Sequence, residues 1–481
     1  MAVNLLLSPL YSHLLLPEQN AIIAKATIYQ SFITIFISLS IDSAFSRFYF
    51  DFYKKKKLLN AYLSTIIIFI IITTLIVLII LLPFGDLIFN FLQHNGQFSF
   101  NKYGVWVLIT SAFTVIQSLL LLYERNKENP ISFSVISLMY FFFSLIFSLC
   151  SLIIFKMGAF GVIAGRAIAY GIITVTLVIL FYKKHPFYFK PKFLKSSLAY
   201  SLPLVPYLIL MVLYGNVDRI MVEKGFSSPQ VLGIYTFAFS IAGAVSVILS
   251  SGQNVQMPMV YKLLADHSVE NDKKINEIVK FFHFIMVSAI TIGLAGAIIF
   301  INLTFAKEYR VIVEYIGMLF FAYIFRSYYI LFADSLFYFK KTKWIFIITL
   351  ISFLIGYVCM KLLIPIWGIP GVCAGVIIIN FSQAASAIIL IKALGINARF
   401  YKMSINHWYT FFVLVAYFLS RYLLVKAGLP IVYCNFFPAG VTILFSIYFF
   451  YKKRVAIKNI LLPLVEKNKW LKKLSFIYGK G

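Results

Sequence analysis

The sequence predicts an all-α integral membrane protein of about 14 transmembrane helices, because apolar runs of about 20 residues recur from one end of the chain to the other. Composition and charge placement support that class. Of 481 residues, 62% are apolar and 12% charged, with a mean hydropathy of +0.92. Water-soluble chains are about 45–50% apolar and about 25% charged. The positive charge is uneven: about 30 of the 43 Lys and Arg fall in alternate loops, as the positive-inside rule requires of cytoplasmic segments. Those loops include Lys54-Lys55-Lys56-Lys57, the stretch 183–195, Lys340-Lys341-Thr342-Lys343 and the tail from Lys452. The loops between them carry chiefly Lys102, Lys156, Lys224, Lys307 and Arg310. The net charge of +27 is therefore an orientation signal and not a nucleic-acid groove.

Taken in order, the spans read as 3–16, 22–50, 61–82, 103–123, 131–154 and 160–182 in a first set. A second set reads as 201–222, 231–263, 278–305, 311–337, 344–363 and 371–391, followed by 408–425 and 431–450. An even number with a basic tail places both termini in the cytoplasm. The first span reaches only about 21 Å, too short to cross alone, so either the chain begins late or this helix is tucked against neighbours. The longest outward loop, about 83–102, is too short for an external domain. From Asn459 onward, Leu461, Leu462, Leu464, Trp470, Leu471 and Leu474 mix with Lys467, Lys469, Lys472 and Lys473, which suits a helix lying on an anionic membrane surface. No cleavable signal peptide is expected.

An internal duplication organises these spans. Pro17-Glu18-Gln19-Asn20-Ala21-Ile22 returns loosely as Pro229-Gln230-Val231-Leu232-Gly233-Ile234, and 158–165 (GAFGVIAG) returns as 368–375 (GIPGVCAG). The register shifts of 212 and 210 mark two points of one repeat. The predicted divisions are an N-terminal six-helix lobe over 1–185, a second over 186–395, two further transmembrane helices over 396–455 and a basic amphipathic tail over 456–481. Transporters are often built from such repeats, with the substrate path at the repeat interface. The paired G-x-x-x-G motifs let helix backbones approach closely.

Ionisable groups inside these spans need a reason, since each costs at least about 2.5–3.5 kcal/mol on insertion scales. They are Asp42, Arg166, Asp218, Arg219, Arg326, Asp334 and Arg421, with Lys25, Arg47 and His283 nearer helix ends. On the second span Thr27, Gln30, Ser31, Thr34, Ser38 and Asp42 share a stripe about 120° wide. On the eighth, Thr236, Ser240, Gly243, Ser250, Ser251 and Asn254 share a face. The repeat register pairs Ser38 with Ser250 and Asp42 with Asn254. Matching stripes read as the lining of a wet cavity; hydroxyls bonded back to their own helix are the alternative. Lys25 and Arg47 point away from the stripe, and snorkelling toward the interface stands beside a cavity role. Arg166 and Arg326 divide between lumen-facing and structural readings, and so does the Asp218–Arg219 pair. Arg421 reads as structural. Guanidinium groups in a cavity suit an anionic substrate, because they bind phosphate oxygens in bidentate fashion and stay charged. Asp42, Asp218, Asp334, Glu314 and His283 are the titratable candidates for coupling. Cys150, Cys359, Cys373 and Cys434 lack metal-ligand spacing and read as packing residues, and no metal or cofactor is expected.

Several segments resemble the bacterial polysaccharide repeat-unit flippases. These are Ser8-Pro9-Leu10-Tyr11 through Leu16-Pro17-Glu18, Ser46-Arg47-Phe48-Tyr49-Phe50, Leu202-Pro203-Leu204-Val205-Pro206, Asp218-Arg219 and Gly233-Ile234-Tyr235, ending near Pro258. The resemblance implies the multidrug/oligosaccharidyl-lipid/polysaccharide transporter fold: two pseudo-symmetric six-helix lobes in a V around a central cavity, plus two trailing helices. It implies a flippase of the cytoplasmic (inner) membrane that moves O-antigen or capsule units on a polyprenyl pyrophosphate carrier. A polysaccharide polymerase and a chain-length regulator are its implied partners. Asp218-Arg219 and Arg47 match recurring positions of that pattern. The chain departs from it in the short first helix and in Ala21, where the family usually has Gly. A lipid II-type flippase or a cation-coupled exporter of the same fold stays open, as does, from another class, a membrane polymerase or ligase. Such an enzyme would need a larger outward loop bearing catalytic groups.

Overall fold

The computed structural model describes residues 2–93, 98–184, 188–265, 269–395 and 404–428, with scattered positions between 440 and 451. Among the described residues the chain is helical throughout, without a strand. The helices are α1 (Ala2–Leu14), α2 (Pro17–Ser38), α3 (Ile41–Phe52), α4 (Lys56–Leu92), α5 (Val105–Asn126), α6 (Pro130–Ile153), α7 (Gly158–Lys184) and α8 (Pro191–Ser201). They continue as α9 (Val205–Gly225), α10 (Pro229–Gly243), α11 (Val245–Leu264), α12 (Val269–Thr304), α13 (Ile316–Tyr338), α14 (Lys343–Trp367), α15 (Ile369–Ala393) and α16 (Ser404–Lys426). Proline opens α2, α6, α8 and α10, where its missing N–H would have had no intrahelical partner anyway. Asn129 caps α6 by accepting from the Ser132 N–H at 3.2 Å.

Eleven segments among the described residues are long and apolar enough to cross a bilayer, so the chain is a multi-pass membrane protein. The difference from the expected 14 has three sources. Helix α1, at 13 residues, is too short to cross by itself. Helix α16 is long enough but is not among the eleven. The expected span over 431–450 falls mostly outside the described residues, as do the surface helix from Asn459 and Cys434.

Two expected single spans are interrupted. The second breaks between α2 and α3, where Leu39 (φ 45°) and Ser40 (φ 61°) adopt the left-handed conformation. The eighth breaks at Ala244, between α10 and α11. The sequence shows no Gly or Pro at 38–41, so the first break carries no local signal.

The helices group into two compact units. One gathers the chain up to Phe237 with Phe305–Tyr309 and Met360–Ile366; the other gathers Ala238–Thr304, Arg310–Cys359 and the described residues from Trp367 onward. In the first unit α6 packs closely on α7. A Cβ at Gly165 would meet the Phe147 carbonyl oxygen at 2.8 Å, and one at Gly161 would meet the Ser151 carbonyl oxygen at 3.0 Å. The Tyr140 and Thr174 hydroxyls share a buried hydrogen bond of 2.8 Å across this pair. In the second unit α13 is the central helix, packed against α11, α12 and α15. Tyr417 of α16 lies over Gly317 and against Phe321, with ring centroids 4.5 Å apart in the aromatic pair.

Candidate functional site

Within the first unit, α2, α5 and α7 enclose a narrow pocket lined by Thr27, Gln30, Thr110 and Arg166, with Ile23 and Val162 as apolar walls. Its volume is about 10 Å³, room for about one water. Thr27 and Gln30 come from the polar stripe of the second span, and Arg166 directly follows the GAFGVIAG segment on α7. Helix α7 can bring Arg166 near because Gly161 and Gly165 let it sit tightly on α6. Gln30 Nε2 donates to Thr114 Oγ1 at 3.3 Å, which holds the amide across to α5. Arg166 is half-buried, and the Tyr11 hydroxyl of α1 faces both it and Ser148. The short first helix thus delivers a phenol to the arginine.

The hydroxyls of both stripes bond back to their own helices. Thr27, Ser31 and Thr34 donate to the carbonyls of Ile23, Thr27 and Gln30 at 2.7–2.9 Å. Thr236 donates to Leu232, and Ser250 and Ser251 both donate to Val247. A hydroxyl that donates backward still offers lone pairs outward. On α11 those groups, with Asn254, form an exposed polar face of a membrane segment. Ser38 has a different role: it is buried, and its Oγ accepts from the Ser40 N–H at 3.3 Å, capping the break in the second span.

The remaining expected site residues are dispersed. Asp42 sits half-exposed in the first turn of α3, where the positive helix end favours a carboxylate. Arg47 and Asp51 form an exposed pair at 3.1 Å. Asp218 is buried, 3.7 Å from Arg219, and accepts from the Tyr235 hydroxyl at 2.9 Å. The Arg219 guanidinium also donates to the Gly215 carbonyl. In the second unit Asp334 is buried, accepts from Gln253 Nε2 at 2.7 Å, and has a carbonyl that accepts from the Tyr261 hydroxyl at 2.9 Å. Arg326, two turns before it on α13, is half-buried, and among the described residues it has no hydrogen-bond or ion-pair partner. His283 is fully buried against Tyr328, centroid to centroid 4.1 Å. Glu314 is exposed, and its carbonyl accepts from Arg421, which ties α16 to the 3₁₀ turn Lys307–Glu314 that precedes α13.

Lys25 corrects the snorkelling expectation. Its side chain is 2% exposed, and its Nζ lies 2.7 Å from Glu223 Oε1 on α9. Glu223 was not among the candidate residues. The expected seventh span stopped at 222, one residue short of it, whereas α9 continues to Gly225. An acidic residue one and a half turns beyond Asp218 on the same helix was the available signal. No cluster of His, Cys, Asp and Glu suited to a metal occurs among the described residues, and Cys150, Cys359 and Cys373 are not in disulfides.

The fold is similar to that of solved membrane transporters. An inward-facing multidrug resistance MATE family transporter of the MOP superfamily superposes with a TM-score of 0.66 at 14% identity, over 82% of this chain and 96% of its own. The lipid II flippase MurJ, in its inward closed conformation, gives 0.65 at 16% identity over 94% and 97%. The Vibrio cholerae MATE transporter VcmN in its bent form gives 0.53 at 12% over 83% and 96%. A family described as polysaccharide biosynthesis protein matches residues 1–264, and the chain belongs to that family. No curated protein matches the chain.

Proposed function

We propose that the protein is a flippase that carries polyprenyl-pyrophosphate-linked oligosaccharide repeat units from the inner to the outer leaflet of a bacterial cytoplasmic membrane. It works by alternating access, with both termini cytoplasmic and without enzymatic chemistry. The observation that carries this reading is the half-buried Arg166 beside Thr27, Gln30 and Thr110 inside a membrane unit of a polysaccharide biosynthesis family member. A guanidinium in such a place suits an anion, which it binds through charge-assisted hydrogen bonds. Arg326, half-buried on α13, supports it as a second cation. The lipid tail stays in the bilayer while guanidinium groups meet the pyrophosphate. The two repeats of this reading are 1–185 and 186–395. The products would feed a polysaccharide polymerase and its chain-length regulator, as in O-antigen, lipopolysaccharide or capsule assembly.

The test is a leaflet assay in proteoliposomes holding a fluorescent polyprenyl-pyrophosphate oligosaccharide, with an external glycosidase that trims only outward-facing sugar. Wild type should bring the protected half of the substrate to the enzyme, and liposomes without protein should not. Equal trimming in both preparations would defeat the proposal. The lipid II flippase reading is the second, favoured by the MurJ match over 94% of this chain. Running lipid II in the same assay separates the two.

A further inference from the structure

Lys25 and Glu223 form an ion pair that neither the arginine pocket nor the polar stripes require. It lies on a seam inside the first unit, where α2 meets α9 and the start of α10. Two hydrogen bonds cross the same seam. Asn20 Nδ2 donates to the Gly233 carbonyl at 2.6 Å, and Gln230 Nε2 donates to Glu18 Oε1 at 3.1 Å. Gly233 lies directly on the Pro17 carbonyl, where a Cβ would not fit. Asp218, the other acid on this stretch of α9, is already held by Arg219 and Tyr235.

Glu223 stands two residues from the end of α9, and Lys25 lies eight residues into α2, about 12 Å along the helix axis from Pro17. Breaking a buried pair leaves an uncompensated charge, the expensive outcome. An anion brought to Lys25 would replace the lost carboxylate and offset that cost. Replacing such a pair by apolar residues is often neutral or stabilising, so the pair is better explained by switching than by stability.

We infer that Lys25 is an acceptor for the phosphate groups of the transported lipid, and that Glu223 is an internal carboxylate occupying it until an anionic headgroup takes its place and the seam opens. This rests on the flippase reading and names a specificity-determining residue for it. Opening is tied to the arrival of an anion, so an empty transporter does not open this seam.

The experiment uses the full chain in proteoliposomes, with Cys150, Cys359, Cys373 and Cys434 replaced by Ala and a reporter pair Glu18→Cys and Gln230→Cys across the seam. Disulfide yield reads the closed fraction. Undecaprenyl pyrophosphate should lower the yield at least threefold, and the neutral polyprenol should not. In Lys25→Met/Glu223→Met the yield should ignore both lipids. The decisive variant is the exchange Lys25→Glu/Glu223→Lys. It should restore the closed-state yield but remain insensitive to the pyrophosphate lipid and transport at a tenth of the wild-type rate or less. Transport by the exchanged pair at the wild-type rate would make the pair a symmetric latch and overturn the inference. So would a wild-type yield indifferent to undecaprenyl pyrophosphate. If wild type translocates no oligosaccharide lipid while its seam still answers the pyrophosphate, the flippase reading fails and the anion site stands.

Discussion

Thr73 of α4 donates its hydroxyl to the Ile37 carbonyl of α2 at 2.8 Å, one turn from the point where the second membrane span breaks. The carbonyls just before a helix break lose their partners in the following turn. In hydrocarbon no water replaces those partners, so a neighbouring side chain must. Ser38 does the same for the Ser40 N–H. The break at Leu39–Ser40 is therefore supported from two sides, which marks it as a maintained joint and not frayed helix.

That joint makes the first prediction. Ser40 holds a left-handed backbone with φ 61° and is completely buried. Non-glycine residues pay about 1–2 kcal/mol there, and β-branched ones fit worst. Ser40→Val should lower thermal stability in detergent, whereas Ser40→Gly should retain it. Thr73→Val, which keeps shape but removes the donor, should cost about 1 kcal/mol. A melting series in which Ser40→Val matches wild type would show that the span is continuous in the protein.

The arginines make the second. Arg166→Gln and Arg326→Gln should each reduce translocation about tenfold or more, since a charge-assisted hydrogen bond is worth about 1.5–3 kcal/mol. Arg166→Lys keeps the charge without the planar fork and should retain part of the rate. Immunoblotting controls for protein level. Unchanged rates at unchanged levels in both Gln variants would remove the anionic-cavity mechanism.

How much of this was legible in the sequence depends on the range over which each feature is determined. The membrane class and most spans follow from hydropathy, which is local and strong. The approach of α7 to α6 was legible in Gly161 and Gly165, because a missing side chain is itself the signal. The pocket shared by Thr27, Gln30 and Arg166 was half legible: the stripe was periodic, but nothing local says that Arg166 turns toward it. Lys25 was left between snorkelling and cavity, because its partner lies 198 residues away on a helix whose end was placed too early. The break at Leu39–Ser40 was invisible. Its support, Thr73, comes from another helix, and neither residue at the break is one that ordinarily ends a helix.

The close packing of α6 and α7 yields the third. Gly165→Ala would place a Cβ 2.8 Å from the Phe147 carbonyl oxygen and 2.9 Å from Ser151 Oγ. The carbonyl belongs to a helix and cannot turn aside, so the helices must separate, at a cost of about 1–3 kcal/mol. Gly165→Leu should abolish folded yield. Gly215, where a Cβ would meet nothing within 4 Å, is the control, and Gly215→Ala should express and melt as wild type. Equal yields from Gly165→Leu and Gly215→Ala would contradict the packing.

The fourth separates charge from packing at Lys25. With side chains 2% and 8% exposed, neither partner can be rehydrated in the closed unit. Removing one leaves the other buried and unpaired, at about 3–5 kcal/mol, while removing both removes the problem. Lys25→Met and Glu223→Met should each melt well below wild type, and the double variant should recover most of the loss. The sign of the coupling is the decisive quantity: two separate packing losses would add, whereas a buried pair makes the second substitution restore what the first took away. A double variant as unstable as the sum of the singles would mean that Lys25 and Glu223 act independently, and the seam would then lose its ionic character.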